Sequence, residues 1–381
     1  MRVLGKGKTA QAIYEKFTDV QLFDDSDLSI YDKNSDELTI VSPGIPPYNQ
    51  LVTNTKNLIS EYDLFKDDFP YTIWISGTNG KTTTTQMMQH ILEKYGSQYG
   101  GNIGKPLAQM DTNKKIWLLE TSSFTLHYTK YAKPNIYVLL PITPDHLSWH
   151  GDFKEYEKAK LKPLNFLKEG EIAIIPKKYK DYPTHGYKIC YETAEEVAKV
   201  FQIDINKIDF KEPFLLDAIL AMSIEKILFD KIDYKKINSF IQDKHKIEEF
   251  YDKNNRLWVD DSKATNIDAT IVALKRYKNK KIYLILGGDD KGVDMQPLYK
   301  ELQKYDIELF LIGSSCNKLY ELSLKYNIKS TKSQFLKDAV DSIKQLHTIN
   351  SVALLSPACA SLDQFTSYKQ RGEQFQQFIC Y

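Results

Sequence analysis

Cysteine is scarce, and the few present do not cluster. Cys190, Cys316, Cys359 and Cys380 lie far apart, with no CxxC pair among them. That spacing argues against a zinc site or a disulfide framework and suits a reducing compartment. Long apolar runs are missing as well. None reaches the ~18 residues that a membrane-crossing helix needs, and the opening MRVLGKGKTA has no apolar stretch of the secretory-signal kind. Excess charge of either sign is absent too. With 51 basic and 50 acidic residues the net charge is +1, so no global field selects nucleic acid or an anionic membrane. Any anionic ligand has to be met locally. There is no internal repeat and no low-complexity tract. These absences lead to the expectation of a soluble, cytoplasmic protein, and 42% hydrophobic residues in 381 supply enough material for two or three cores.

What is present is an alternation of short apolar runs with longer amphipathic stretches, the pattern of an α/β fold. Three units are expected: residues 1–69, 70–244 and 245–381. The first opens with a short strand ending at Gly5 and Gly7, then a helix over 9–17, a strand ending near Leu22 and Phe23, and another over 38–41 ahead of Ser42-Pro43-Gly44. The pair Phe69-Pro70 marks a boundary. The second unit reads as a strand over 71–76, a turn over 77–80 and a helix over 81–95. Further strands follow at 115–120 and 135–140, with helices over 152–168 and 213–228. The third carries strands at 257–259, 281–286, 308–312 and 352–355 with helices between, a parallel α/β layer of its own.

The sharpest local signal is Ser76-Gly77-Thr78-Asn79-Gly80-Lys81-Thr82-Thr83. It follows a β-rich run and opens a helix. Glycines let the backbone turn so that N–H groups face phosphates at the positive end of that helix. Lys81 would neutralise β/γ oxygens, and the Thr82 hydroxyl would reach Mg²⁺. The glycine that the general phosphate loop carries five positions before its Gly-Lys is Ile75 here.

Two strand ends point to the same place. Glu120 closes the strand before Thr121-Ser122-Ser123, and His146 follows the strand over 135–140 in Thr143-Pro144-Asp145-His146. In a parallel sheet, strand C-termini share one edge with the phosphate loop. Thr82, Glu120 and His146 can therefore converge on one cation, with Mg²⁺ suited to the oxygens. Alone, Glu120 reads as a surface carboxylate and His146 as a turn residue. Lys160, among Lys154, Lys158 and Lys162, reads on its own as a solvated helix lysine.

In order and spacing these pieces resemble the Mur ligases over nearly the whole chain, and within them the branch that adds D-glutamate. The blocks are Gly100-Gly101-Asn102-Ile103-Gly104, Thr143-Pro144-Asp145-His146-Leu147 with His150-Gly151, Asp261-Ser262-Lys263-Ala264-Thr265-Asn266, Gly287-Gly288-Asp289-Asp290-Lys291-Gly292, and Ser356-Pro357-Ala358-Cys359-Ala360-Ser361-Leu362-Asp363 with Arg371-Gly372. The short Gly-Thr-Asn-Gly-Lys-Thr loop is shared with folylpolyglutamate synthetases. The resemblance implies a three-domain fold: a Rossmann-like UDP-binding domain, a central phosphate-loop ATPase domain, and a Rossmann-like C-terminal domain that closes over the site. It implies an ATP-dependent amide ligase joining D-glutamate to UDP-N-acetylmuramoyl-L-alanine through an acyl phosphate. It also implies a monomer that engages neither nucleic acid nor membrane.

The resemblance also implies roles. Gly77, Thr78, Asn79, Gly80, Lys81, Thr82 and Thr83 would hold ATP, with Asp217 and Asp261. Two Mg²⁺ ions would be held by Thr82, Glu120, His146 and Lys160, the last as a carbamate, because an ammonium would repel metal. The UDP-substrate would meet Gly7, Lys8, Thr9, Asp24 or Asp25, Ser42, Pro43, Gly44, Asn102 and His146. D-glutamate would meet Lys263, Thr265, Lys291, Ser361, Leu362 and Tyr368, where two lysines face two carboxylates. Lys81, His146, Lys160 and Lys263 would be the catalytic set.

Some segments depart from the family pattern. The run ahead of the adenine carries Glu212-Pro213-Phe214 in place of His-Asn, with Asp217 where an Asn is usual. The pair opening the third unit is His245-Lys246, and a lysine lacks the arginine fork. The alternatives are another Mur or folylpolyglutamate-type ligase, a nucleotide-binding regulatory protein without ligase chemistry, and a plain phosphate-loop GTPase or kinase.

Overall fold

The computed structural model describes residues 1–380. The chain divides into two compact units between Phe240 and Ile241. None of the described helices is long and apolar enough to cross a membrane.

The first unit holds two parallel sheets. The smaller comprises β1 (Arg2–Leu4), β2 (Gln21–Phe23), β3 (Thr39–Val41) and β4 (Leu58–Ile59), in the order β2-β1-β3-β4. The larger comprises β5 (Tyr71–Ser76), β6 (Ser97–Gly101), β7 (Ile116–Glu120), β8 (Ile136–Leu139), β9 (Ile172–Pro176) and β10 (Tyr187–Tyr191), in the order β10-β9-β8-β5-β7-β6. Its central strands are mostly apolar and buried along nearly their whole length, as a sheet covered on both faces requires. The chain leaves β5 for β6 on one side, fills in β7 between them, and leaves β8 for β9 and β10 on the other. This leaves the switch point between β5 and β8, where open α/β sheets place their ligands.

The Phe69-Pro70 boundary does not separate two cores. Val3, Ile40 and Tyr62 share one apolar cluster with Trp74, Trp117 and Leu139. Asp63 fastens the two sheets further, accepting backbone N–H bonds from Lys130 at 2.9 Å, Tyr131 at 2.7 Å and Ala132 at 2.8 Å.

The helix expected over 152–168 is Phe153–Leu161, capped by Asp152, whose side chain accepts from the Glu155 N–H. It gives way to a 3₁₀ turn at Lys162–Asn165, because Pro163 has no N–H to continue an α-helix.

The second unit holds β11 (Glu248–Tyr251), β12 (Leu257–Asp260), β13 (Lys281–Gly287), β14 (Ile307–Ile312), β15 (Ser330–Gln334) and β16 (Ser351–Leu355), in the order β11-β12-β16-β13-β14-β15. The layer is not wholly parallel as expected, since β11 pairs antiparallel with β12. A five-residue link between them makes a hairpin, the short connection that only an antiparallel pair permits.

Candidate active site

Strand register sets the level of the first edge. Ile75 pairs with Glu120, and Ser76 pairs with Leu139, so the ends of β5, β7 and β8 lie side by side. The phosphate loop leaves this edge and enters the helix Lys81–Leu92. Gly77 has φ 137°, and a Cβ there would lie 2.4 Å from Leu140 Cβ. Only glycine meets both demands.

Around this turn the side chains interlock. Lys81 Nζ donates to Gly77 O at 2.9 Å and Thr78 O at 2.8 Å. Thr82 Oγ1 donates to Glu120 Oε2 at 2.9 Å, and Asn102 Nδ2 to Glu120 Oε1 at 2.7 Å. Glu120 is buried, so these donors satisfy a carboxylate that burial would otherwise penalise. Thr84 Oγ1 donates to Asp217 Oδ1 at 2.7 Å, tying the loop helix to the helix Phe214–Phe229.

Lys160 is not solvated. It is 1% exposed, its Nζ donates to Gly77 O at 2.7 Å, and it lies 4.9 Å from the Tyr156 ring centre. Burial, with Lys81 as the next cause, pushes its pKa well below that of an ordinary lysine. Burial also lowers Lys81, against the opposing pull of Glu120 and Asp145. Two lysines here crowd the same carbonyl, which weakens the ammonium form of the deeper one.

His146 takes a left-handed backbone, φ 51°, at the head of a short helix. Its ring lies 4.8 Å from that of Phe124 and its Nε2 is 3.6 Å from Asp145 Oδ2. His150 lies deeper, bonded through Nε2 to Ser123 Oγ at 2.9 Å, and burial lowers it to about 4. It is therefore a neutral imidazole at neutral pH. Tyr156 and Asp145 were missed as site residues in the sequence. Tyr156 OH lies 2.9 Å from Thr78 Oγ1 of the loop. Its only sequence signal is its place one helical turn before Lys160.

The smaller sheet brings Gly5–Gly7 and the turn after β3 together, because Leu4 pairs with Val41. Gly7 caps the helix Lys8–Lys16, which puts Lys8 and Thr9 in its first turn. Asp24 is engaged by Lys6 at 2.8 Å, and that lysine holds its carboxyl well below the usual range. Asp25 accepts from Asn49 Nδ2 at 2.8 Å. Trp149 Nε1 donates to Gly44 O at 3.4 Å, and Tyr128 OH to Ile45 O at 2.7 Å, so the Ser42-Pro43-Gly44 turn is seated on the larger sheet's helices.

The second unit has its own edge. Asp260 pairs with Leu355, and Leu355 with Ile285, so the loops after β12, β16 and β13 leave at one level. Lys263 Nζ lies 5.7 Å from the Tyr368 ring centre. Asp289 and Ala360 exchange backbone bonds, stitching the Lys291 loop to the loop of Ser361. Lys291 and Leu362 are exposed and Ser361 is buried. Asn266, last of its block, caps the helix Ile267–Arg276 by accepting from Ala269 N–H.

Asp261 is buried, accepts from Ser356 Oγ at 2.7 Å, and is pushed up by burial to about 8. Arg371 is wholly buried and spans two loops. It donates to Ser262 O at 2.8 Å and to Cys359 O at 3.2 Å. The Arg-Gly pair was legible as a motif, but nothing in the sequence showed what this guanidinium holds.

The first unit thus sets a phosphate loop beside a buried lysine and a carboxylate, and the second gathers its own loops at the strand ends, the arrangement of an α/β nucleotide-binding enzyme. A family profile described as the Mur ligase middle domain matches residues 75–212. The fold resembles the ligase MurF from Thermotoga maritima solved with ADP, at a TM-score of 0.60 and 15% identity over 93% of this chain and 90% of that one. It also resembles MurC from the same organism, at a TM-score of 0.57 and 15% identity over 99% and 98%. Curated relatives are nearer in sequence. The UDP-N-acetylmuramoylalanine-D-glutamate ligase of Campylobacter jejuni is 50% identical, covering 99% of this chain and 98% of its own. That of Helicobacter pylori is 45% identical over the same shares. The chain belongs to the family of UDP-N-acetylmuramoylalanine-D-glutamate ligases.

Proposed function

We propose that the protein joins the amine of D-glutamate to the alanyl carboxylate of UDP-N-acetylmuramoyl-L-alanine, with ATP converting that carboxylate to an acyl phosphate. The observation that carries this reading is the 50% identity to a ligase of that name over 99% of the chain. The three expected stretches divide the work: 1–69 for the UDP moiety, 70–244 for ATP, 245–381 for D-glutamate.

A carboxylate is a poor electrophile, and phosphorylation gives it a leaving group. Lys81 and the loop N–H groups neutralise the phosphates. The oxygen donors at this edge fit Mg²⁺. Thr82 Oγ1 and Glu120 Oε2 are 2.9 Å apart, and hard oxygens beside a phosphate loop are what the ion prefers. When bound, Mg²⁺ supplies charge neutralisation on the transferring phosphoryl group. Thr82 and Glu120 would hold one ion, His146 and a carbamylated Lys160 the other. Lys160 is suited to that modification, because carbamylation requires the neutral amine and burial disfavours its ammonium form. Lys263 and Lys291 bind the D-glutamate carboxylates, and Tyr368 lines the same loop. The enzyme works on soluble substrates as a cytoplasmic monomer, a state that sedimentation would check.

The test mixes the protein with ATP, Mg²⁺, UDP-N-acetylmuramoyl-L-alanine and either D- or L-glutamate. Phosphate release only with D-glutamate, with a product heavier by one glutamyl residue, is the expected result. Turnover with another amino acid instead would keep the Mur class and discard this substrate.

A further inference from the structure

One step before the Asp261 block stands a carboxylate to which the family resemblance assigns no role. Asp260 ends β12 with no exposed surface. Three donors meet it. The Ser262 N–H reaches Oδ1 at 3.0 Å, Gln376 Nε2 reaches Oδ2 at 2.9 Å, and His245 Nδ1 lies 2.7 Å from the same Oδ2. A buried carboxylate met by three donors has both oxygens satisfied, and its contact with an imidazole nitrogen fixes the ring orientation. A carboxylate oxygen accepts, which assigns the shared proton to Nδ1.

His245 is held from its main chain as well. Its N–H donates to Glu248 Oε2 at 2.9 Å, and it takes a left-handed backbone with φ 64°. Its carbonyl accepts the Lys263 N–H at 3.1 Å. The residue pinned by Asp260 is therefore bonded directly to the lysine of the D-glutamate loop. Gly372 leaves room for the pair, since a Cβ there would lie 2.2 Å from His245 Nδ1.

His245, Glu248 and Asp260 bring their ligand atoms within 4.8 Å of one another, and a cation could be imagined among them. The amide of Gln376 argues otherwise. Its Nε2 bonds both Glu248 Oε2, at 3.2 Å, and Asp260 Oδ2, so a donor already bridges the two carboxylates. The cluster is a hydrogen-bond relay from the C-terminal helix to the loop.

We propose that Asp260, braced by Gln376, is a positioning residue for D-glutamate binding: through His245 it sets the backbone that carries Lys263. The inference rests on Lys263 binding D-glutamate. It predicts a defect confined to that substrate, because a misplaced carboxylate anchor weakens one substrate's contacts and leaves the phosphate loop intact.

The experiment compares wild type with Asp260→Asn and Gln376→Leu. Asparagine keeps the volume but sets a donor against a donor in either amide orientation. The expected result is a KM for D-glutamate raised about tenfold in Asp260→Asn and less in Gln376→Leu, with KM for the UDP-substrate unchanged and kcat changed far less. Ring ¹⁵N spectra should show His245 protonated on Nδ1 in wild type and altered in Asp260→Asn. Folded, active variants with an unchanged D-glutamate KM would overturn the proposal. So would a rise of equal size in every KM, or a His245 that carries its proton on Nε2 in wild type. If Asp260→Asn fails to fold, Gln376→Leu and the wild-type spectrum still decide. Wild-type protein that releases no phosphate with D-glutamate would instead refute the functional reading itself.

Discussion

The two loop edges are built on the same plan and held together by different means. In the first unit the loop over 77–80 is shaped by glycine and its own carbonyls, and the polar side chains around it bond to near neighbours in space. In the second unit the loops after β12 and β16 are fixed from beneath by Arg371 and Gln376, both on the helix Tyr368–Cys380. Under the proposed roles, the contrast follows the ligand chemistry. Phosphates can be met by backbone N–H groups at a helix end. The carboxylates of a free amino acid need cationic side chains at set positions, and those need a rigid floor.

The largest effect should come from the lysine at the first edge. Lys160→Ala should reduce kcat by at least about 10²–10³-fold, the scale for losing one charge-stabilising group. Added formate or acetate should restore part of the rate if a carboxylate-like group is what is missing. A variant turning over at the wild-type rate would end the carbamate reading and leave Lys160 as packing.

Next comes the pair of lysines at the second edge. Lys263→Ala should raise the D-glutamate KM more than Lys291→Ala. Lys263 is partly buried against Tyr368, whereas Lys291 is exposed and its salt-screened contact is worth less. Steady-state kinetics in D-glutamate checks the ranking, and the reverse order would show that the exposed loop is the stronger anchor.

A third test concerns stability. Arg371→Leu should cost roughly 2–5 kcal/mol, because the carbonyls of Ser262 and Cys359 lose a buried donor. The loss should appear as faster amide exchange in β12 and β16 while β5 and β7 stay protected. Equal loosening of both sheets would show that the two units are not independently stable.

How much of this was legible follows from the same contrast. The phosphate loop, Glu120 and His146 could be placed because glycines announce the turn and polar residues at the ends of apolar runs announce the edge. The central strands were legible by their apolar runs. Edge strands such as Ser97–Gly101 and Ser330–Gln334 were not, since glycine, serine and lysine leave no apolar run to read. Nor could sequence join Arg371 to Ser262 or Gln376 to Asp260, contacts that span 109 and 116 residues. Lys160 was visible only by family resemblance, because four lysines in nine positions look like a solvated face until the fold shows which one turns inward.

The last comparison concerns pH, and it sets one buried acid from each unit side by side. Burial raises Glu61 to about 7 from an ordinary 4.5, and Asp261 to about 8 from 3.8. Each folded pKa lies above the unfolded one, so between the two values the folded state holds the extra proton and stability falls as pH rises. For Glu61 the loss should run from about pH 4.5 to about pH 7 and then level off. For Asp261 it should continue to about pH 8. Glu61→Gln should flatten the slope of the first unit alone, and Asp261→Asn that of the second alone. Denaturant midpoints read across this range by amide exchange in β7 and in β16 would separate the two. A slope in β16 that persists in Asp261→Asn would assign the titration to another group.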